Sequence, residues 1–214
     1  MLNYIQQILP ALLGGTKVTL SIFAITLIIA IPLGILLGVT LTSKFKPIKW
    51  LLNTYILIMR GTPLLLQLIF IFYGLPLLGI VFSRYNAALI AFILNYAAYF
   101  SEIFRGGFQS IPKGQIESAK LLRLSKWQTL RYVLAPQVFK IVLPSVGNET
   151  INLIKDSSLV YVIGIGDLLR AGNVATARDV TLLPLILVGI IYLILTAITT
   201  YILKAIEKRT NVWR

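Results

Sequence analysis

The chain has 214 residues, 57% of them hydrophobic and 13% charged, with a mean hydropathy of +0.87; soluble domains carry about 25% charged residues, which excludes a water-soluble globular protein. Lys and Arg number 20 against 7 Asp and Glu, a formal net charge of +13 that fits the basic cytoplasmic loops of a membrane protein rather than nucleic-acid binding. Cys and His are both absent, which excludes disulfides, thiolate and imidazole metal sites, and histidine acid–base catalysis.

The N-terminal MLNYIQQILPALLGGTK has no basic start and no small-residue cleavage site, so it reads as an interfacial lead-in rather than a signal peptide. A first span is expected over 16–41. Its Pro32 is tolerable where neighbouring helices satisfy the freed carbonyl, and Gly34 and Gly38 form a GxxxG step that permits close helix contact. A basic turn with Lys44, Lys46 and Lys49 follows, with Trp50 as an interfacial anchor. The next apolar run is too long for one straight span, and Arg60-Gly61-Thr62-Pro63 interrupts it. A short helix over 51–59 and a second span over 63–80 are therefore expected, with Arg60 snorkelling at the inner interface. A far-side turn over 75–86 leads to a third span, 87–104, ended by Arg105-Gly106-Gly107.

The stretch IPKGQIESAKLLRLSKWQTLRYVLAPQ is the one long basic, amphipathic segment. A helix over about 112–124 is expected, with Ile116, Ala119 and Leu122 near one side. Such a helix can lie on lipid headgroups or dock in a groove of a partner. A fourth span is expected over 133–163, bent by Pro136 and Pro144 and ended by Gly164 and Gly166. A polar excursion over 167–179 and a fifth span over 181–203 complete the chain, which reads as one all-α transmembrane domain over 1–214. Basic residues concentrate in 42–50, 105–131 and 204–214, whereas the opposite side holds only Lys17, Arg84, Arg170 and Arg178. The bias puts the former segments in the cytoplasm, hence the N-terminus outside and the C-terminus inside.

No GxxxxGK[ST] phosphate loop and no nucleophile–base arrangement occurs, so the chain is read as a non-enzyme. The chemistry lies in the spans, where charges are expensive and tend to be functional. On a helix, Ser145, Glu149, Asn152 and Asp156 fall on one stripe, with Glu149 and Asp156 about 10 Å apart along the axis. That span is comparable with an extended cationic amino acid. Asn95, Tyr99 and Glu102 make a second stripe, and Tyr73 and Gln67 could complete a pocket. Structural alternatives stand beside these roles: Glu102 precedes Arg105 by three residues, a helix-surface ion-pair spacing, and Asp156 adjoins Lys155. Tyr96 and Phe100 read as packing. A proton- or cation-coupled secondary transporter using Glu149 and Asp156 as a relay is the alternative function.

The segment 114–137 resembles the EAA loop of ABC-importer permease subunits. Arg60-Gly61-Thr62-Pro63-Leu64-Leu65-Leu66-Gln67-Leu68 and Tyr73-Gly74-Leu75-Pro76 resemble signatures of the polar amino acid branch. So do Asn95-Tyr96-Ala97-Ala98-Tyr99 with Glu102, and Leu143-Pro144 through Lys155-Asp156-Ser157-Ser158-Leu159. The resemblance covers essentially the whole chain in order. It implies the five-helix type I ABC importer fold, like that of methionine permeases, and a binding-protein-dependent amino acid importer in a prokaryotic cytoplasmic membrane. The implied partners are a second permease subunit, expected as a homodimer, two cytoplasmic ATPases that bind ATP and Mg, and an extracytoplasmic binding protein. No cofactor is implied in this chain. The implied ATPase-coupling residues are Gly114, Gln115, Glu117, Ser118, Ala119, Leu122 and Arg123. Ser118 stands where the family has alanine. Arg123 stands at the usual glycine, which brings the sharp turn after the docking helix into question.

Overall fold

The computed structural model describes residues 2–43 and 45–210. The first helix, α1 (Leu2–Leu41), is apolar throughout and keeps Pro10 and Pro32 inside it. It starts well before residue 16, so the expected lead-in is helix instead. The helix runs through Pro10, Gly14 and Gly15, and the bare α-carbon of Gly15 lies against a backbone turn, where a Cβ would come within 2.6 Å of the Asp167 carbonyl. Farther along, a Cβ on Gly38 would lie 2.8 Å from the Ser101 carbonyl. Gly38 and Gly34 thus seat α1 against α4 (Arg84–Gln109), whose Ala91, Phe92, Tyr96 and Phe100 stand in the main core.

Between them, α2 (Lys46–Gly61) and α3 (Leu64–Ile69) meet at a 104° bend. Pro63 lacks an N–H and holds Thr62 extended, at φ −120° and ψ 147°. Gln67 braces the break: its Nε2 donates to the Met59 carbonyl (2.9 Å), the Thr62 carbonyl (3.1 Å) and Thr62 Oγ1 (2.8 Å). The helix then widens into a π turn over Phe70–Gly74 and tightens into a 3₁₀ turn over Leu75–Leu78, closed by Gly79 at φ +81°. The far-side turn is therefore shorter than expected. Ser83 caps α4 by accepting from the Asn86 N–H.

Helix α4 runs through Arg105-Gly106-Gly107 rather than stopping there. Gly107 is buried against Val138 and Val142, so its missing side chain is filled by the neighbouring helix. After it come α5 (Lys113–Leu121), α6 (Lys126–Gln128), a π turn over Thr129–Leu134, and α7 (Ala135–Asp156) with its 3₁₀ continuation Ser157–Ile163. Ser125 and Gln128 form a reciprocal capping box at the start of α6. Gly164, at φ +82°, turns the chain into α8 (Leu168–Asp179), where the buried Asp167 accepts from the Leu169 and Arg170 N–H groups. The last helix, α9 (Leu183–Thr210), reaches past residue 203 and keeps Lys204, Lys208 and Arg209 helical, because Lys, Arg and Glu are good helix formers, while Arg214 lies outside the described residues.

By length and composition, α1, α4 and α9 can each cross a membrane. The α2–α3 pair and the α6–α8 stretch each pass the same test as bent pairs, which gives up to five spans.

Candidate functional site

The break between α2 and α3 exposes Thr62 to Leu65 to the inner faces of α4 and α7. Where these elements converge lies a cavity of about 410 Å³. Its wall from α7 carries Glu149, Asn152 and Asp156, and its wall from α4 carries Asn95, Tyr96 and Tyr99. The helical period of α7 brings Glu149 and Asp156 to one side, two turns apart. Neither carboxylate has a cationic partner within ion-pair distance among the described residues; the ion pairs there are Arg60–Glu102, Arg105–Glu102 and Arg178–Asp179.

Tyr96 belongs to this site, although its sequence context read as packing. Its ring is buried and its hydroxyl donates to Asp156 Oδ2 at 2.7 Å. The signal was general: a buried tyrosine hydroxyl usually finds a partner. Asp156 is thereby held in place by a neutral donor, whereas Glu149 is left as the freer carboxylate. Asn95 reaches the cavity edge, but its Nδ2 is committed to the Met59 carbonyl (2.9 Å) and Gln67 Oε1 (3.0 Å). Gln67 is committed in turn to the α2–α3 break and does not line the cavity.

Three further expected residues also lie outside this cavity. Ser145 is exposed one turn before Glu149, outside the cavity, because at that level α7 buries Val142, Leu143 and Gly147 and turns Ser145 outward. Tyr73 is 55% exposed and stacks edge-on with Phe72; the π turn rotates it off the inner face. Glu102 takes the ion-pair geometry instead. Arg105 donates from Nε to Oε1 (2.8 Å) and from Nη2 to Oε2 (2.6 Å), and Arg60 Nη1 lies 3.7 Å from Oε2. It lines a separate cavity of about 560 Å³ between α2 and the C-terminal end of α4.

Helix α5 stands at the edge of the bundle. Gly114, Gln115, Glu117 and Ser118 are exposed, and Ala119 is buried. Gln137 Nε2 donates to Gln115 Oε1 at 3.3 Å, which ties α5 to α7. Glu117 forms no ion pair with Lys113 or Lys120 among the described residues. At the far end, Leu121, Leu122 and Trp127 are left 85%, 73% and 66% exposed. The turn that follows is sharp after all. Arg123 adopts φ +54°, its N–H donates to the Lys120 carbonyl (2.9 Å), and the Leu124 N–H donates to the Ala119 carbonyl (3.0 Å). This is a Schellman closure with arginine in the left-handed position that glycine ordinarily fills. The cost of that conformation is about 1 kcal/mol. Arg123→Gly is therefore expected to slow amide exchange over 119–125 by about five-fold, and Arg123→Val to speed it, because a β-branched residue resists positive φ. Exchange that is unchanged in both variants would remove the strain argument.

A family model described as binding-protein-dependent transport system inner membrane component matches residues 30–212. The arginine transport system permease protein ArtQ of Bacillus subtilis is 42% identical over 203 residues, covering 94% of this chain and 93% of its own length. A chain named for glutamine transport, GlnP of Rickettsia conorii, is 35% identical over 214 residues, covering 98% of each. A crystal structure of an amino acid ABC transporter with histidines superposes at TM-score 0.89 and 33% identity, covering 97% of both chains.

Proposed function

The chain belongs to the family of binding-protein-dependent transport system inner membrane components, with the permease fold of type I ABC importers, and on that premise we propose that it forms the translocation pathway for basic amino acids. One observation carries the substrate class: Glu149 and Asp156 share a cavity with no cationic side chain paired to either among the described residues. A half-buried carboxylate needs a counter-charge, and a guanidinium or ammonium group on the substrate supplies it. The likeness to a chain named for arginine transport supports this reading. The likeness to one named for glutamine makes the competing case, in which the substrate's α-amino group alone meets the acid.

Around this pathway the chain pairs with a second copy of itself. Its α5 docks into an ATPase that binds ATP and Mg, and an extracytoplasmic protein delivers the amino acid. The exposed Leu121 and Leu122 at the tip of α5 support docking, since an apolar tip on a polar helix calls for a partner. That docking places α5 and the C-terminus in the cytoplasm and the N-terminus outside. The test is a competition series in proteoliposomes holding the chain with its ATPase and binding protein. Arginine, lysine and histidine are expected to compete for ATP-driven uptake at least about ten-fold better than glutamine. Equal competition by glutamine would overturn the basic specificity, and uptake without ATP would return the chain to the secondary-carrier reading.

A further inference from the structure

The larger cavity, beside the acidic one, has the opposite character. Its polar lining is Lys49, Asn53, Arg60, Glu102, Arg105 and Gln109. Its one carboxylate, Glu102, is already gripped by Arg105 through two short bonds. Along α4 the two cavities open on one face: Asn95 and Tyr99 line the acidic one, and Glu102, Arg105 and Gln109 line the basic one. Along the other wall, Arg60 and Gly61 line the basic cavity, and Thr62 begins the acidic one. The boundary is therefore set by a few atoms. At it, the Arg60 guanidinium sits 5.2 Å from the centre of the Tyr99 ring and 3.7 Å from Glu102.

We infer that Arg60 is the gate between the two cavities: packed on Tyr99 and facing Glu102, it closes the acidic cavity toward the α5 side, and the carboxylate of a departing amino acid draws it aside. This rests on the importer reading. Three features suit Arg60 to move while its surroundings stay. Its contact with Glu102 is longer than either Arg105 bond, and its side chain is 42% exposed. Glu102 keeps Arg105 when Arg60 leaves, so opening strands no half-buried carboxylate. Arg60 also lies in the last turn of α2, three residues before the break at Pro63, and the following Gly61 has open space around it. The basic cavity then gives the substrate's carboxylate a favourable next step after the acidic one has held its cationic end.

The chain has no cysteine, so a single introduced thiol reports on the gate. Leu65→Cys places it in the acidic cavity. In membrane vesicles of the full complex, an impermeant maleimide applied from the α5 side is expected to label it slowly. Adding Arg60→Gln is expected to raise the labelling rate about ten-fold, which is the loss of one cation–π contact and one ion pair. Arg60→Lys, which keeps the charge over the ring, is expected to stay within about three-fold of the parent. Tyr99→Leu removes the other half of the same contact and is expected to match Arg60→Gln, so it serves if that variant does not assemble. Labelling unchanged by both Arg60→Gln and Tyr99→Leu overturns the gate. The importer reading is judged separately, by ATP-driven uptake in the parent complex, so the two can fail independently.

Discussion

Glu149→Gln is expected to lower kcat/KM for arginine uptake by about 100-fold while changing glutamine uptake by less than about three-fold. Losing one partner of a partly desolvated charge pair costs roughly 3 kcal/mol, and each 1.4 kcal/mol is a factor of ten. The asymmetry between substrates follows from geometry. Glu149 has no cationic partner among the described residues, so in the ground state its charge waits for the cargo. Asp156 is already held by the Tyr96 hydroxyl. An amide at residue 149 keeps the size and an acceptor oxygen but removes the charge, so a neutral side chain loses little. The measurement is initial uptake rate against concentration for both amino acids in proteoliposomes. A parallel fall for both would move the role of Glu149 from the side chain of the substrate to its α-amino group, and no fall for arginine would remove it from the pathway.

What the residues announced in advance follows from the range of each interaction. Of the expected α7 stripe, helical period alone brings Glu149, Asn152 and Asp156 together and the cavity contains these three, whereas Ser145 at its start faces outward. The α4 stripe was legible as a stripe, yet it divides between two cavities, because nothing within α4 says where α2 crosses it. Arg60 comes from a different helix, placed there by the 104° bend at Pro63, and periodicity within one element cannot supply such a partner. Tyr73 failed for a local reason, since a π turn breaks the period on which its placement depended. Arg123 failed in the opposite direction. The motif position calls for positive φ, and the chain adopts it without the residue that makes it easy, because the Schellman hydrogen bonds hold the turn.

Gly34→Leu is expected to abolish accumulation of the folded chain, whereas Gly14→Ala, with nothing within 4 Å of the added carbon, is expected to be neutral. A first carbon on Gly34 would already lie 3.1 Å from the Phe100 carbonyl carbon and the Ser101 nitrogen, and closer still to the Phe100 Cβ. Phe100 is fully buried, and the backbone of α4 cannot step aside as a flexible side chain tip can. A single methyl therefore forces α1 away from α4, at the 1–3 kcal/mol typical of overpacking, and an isobutyl group exceeds what an overpacked core absorbs, at about 3 kcal/mol or more. The damage extends to the acidic cavity, because Tyr96 and Tyr99 stand on the same α4 that α1 positions. Gly34→Ala should accordingly accumulate at reduced yield and lower the uptake rate of whatever assembles. Yield and monodispersity on size-exclusion chromatography, followed by uptake at matched protein, separate the two effects. Full yield of Gly34→Leu would mean that α1 does not pack on α4 through this glycine step, and would withdraw the helix contact on which the placement of both cavities depends.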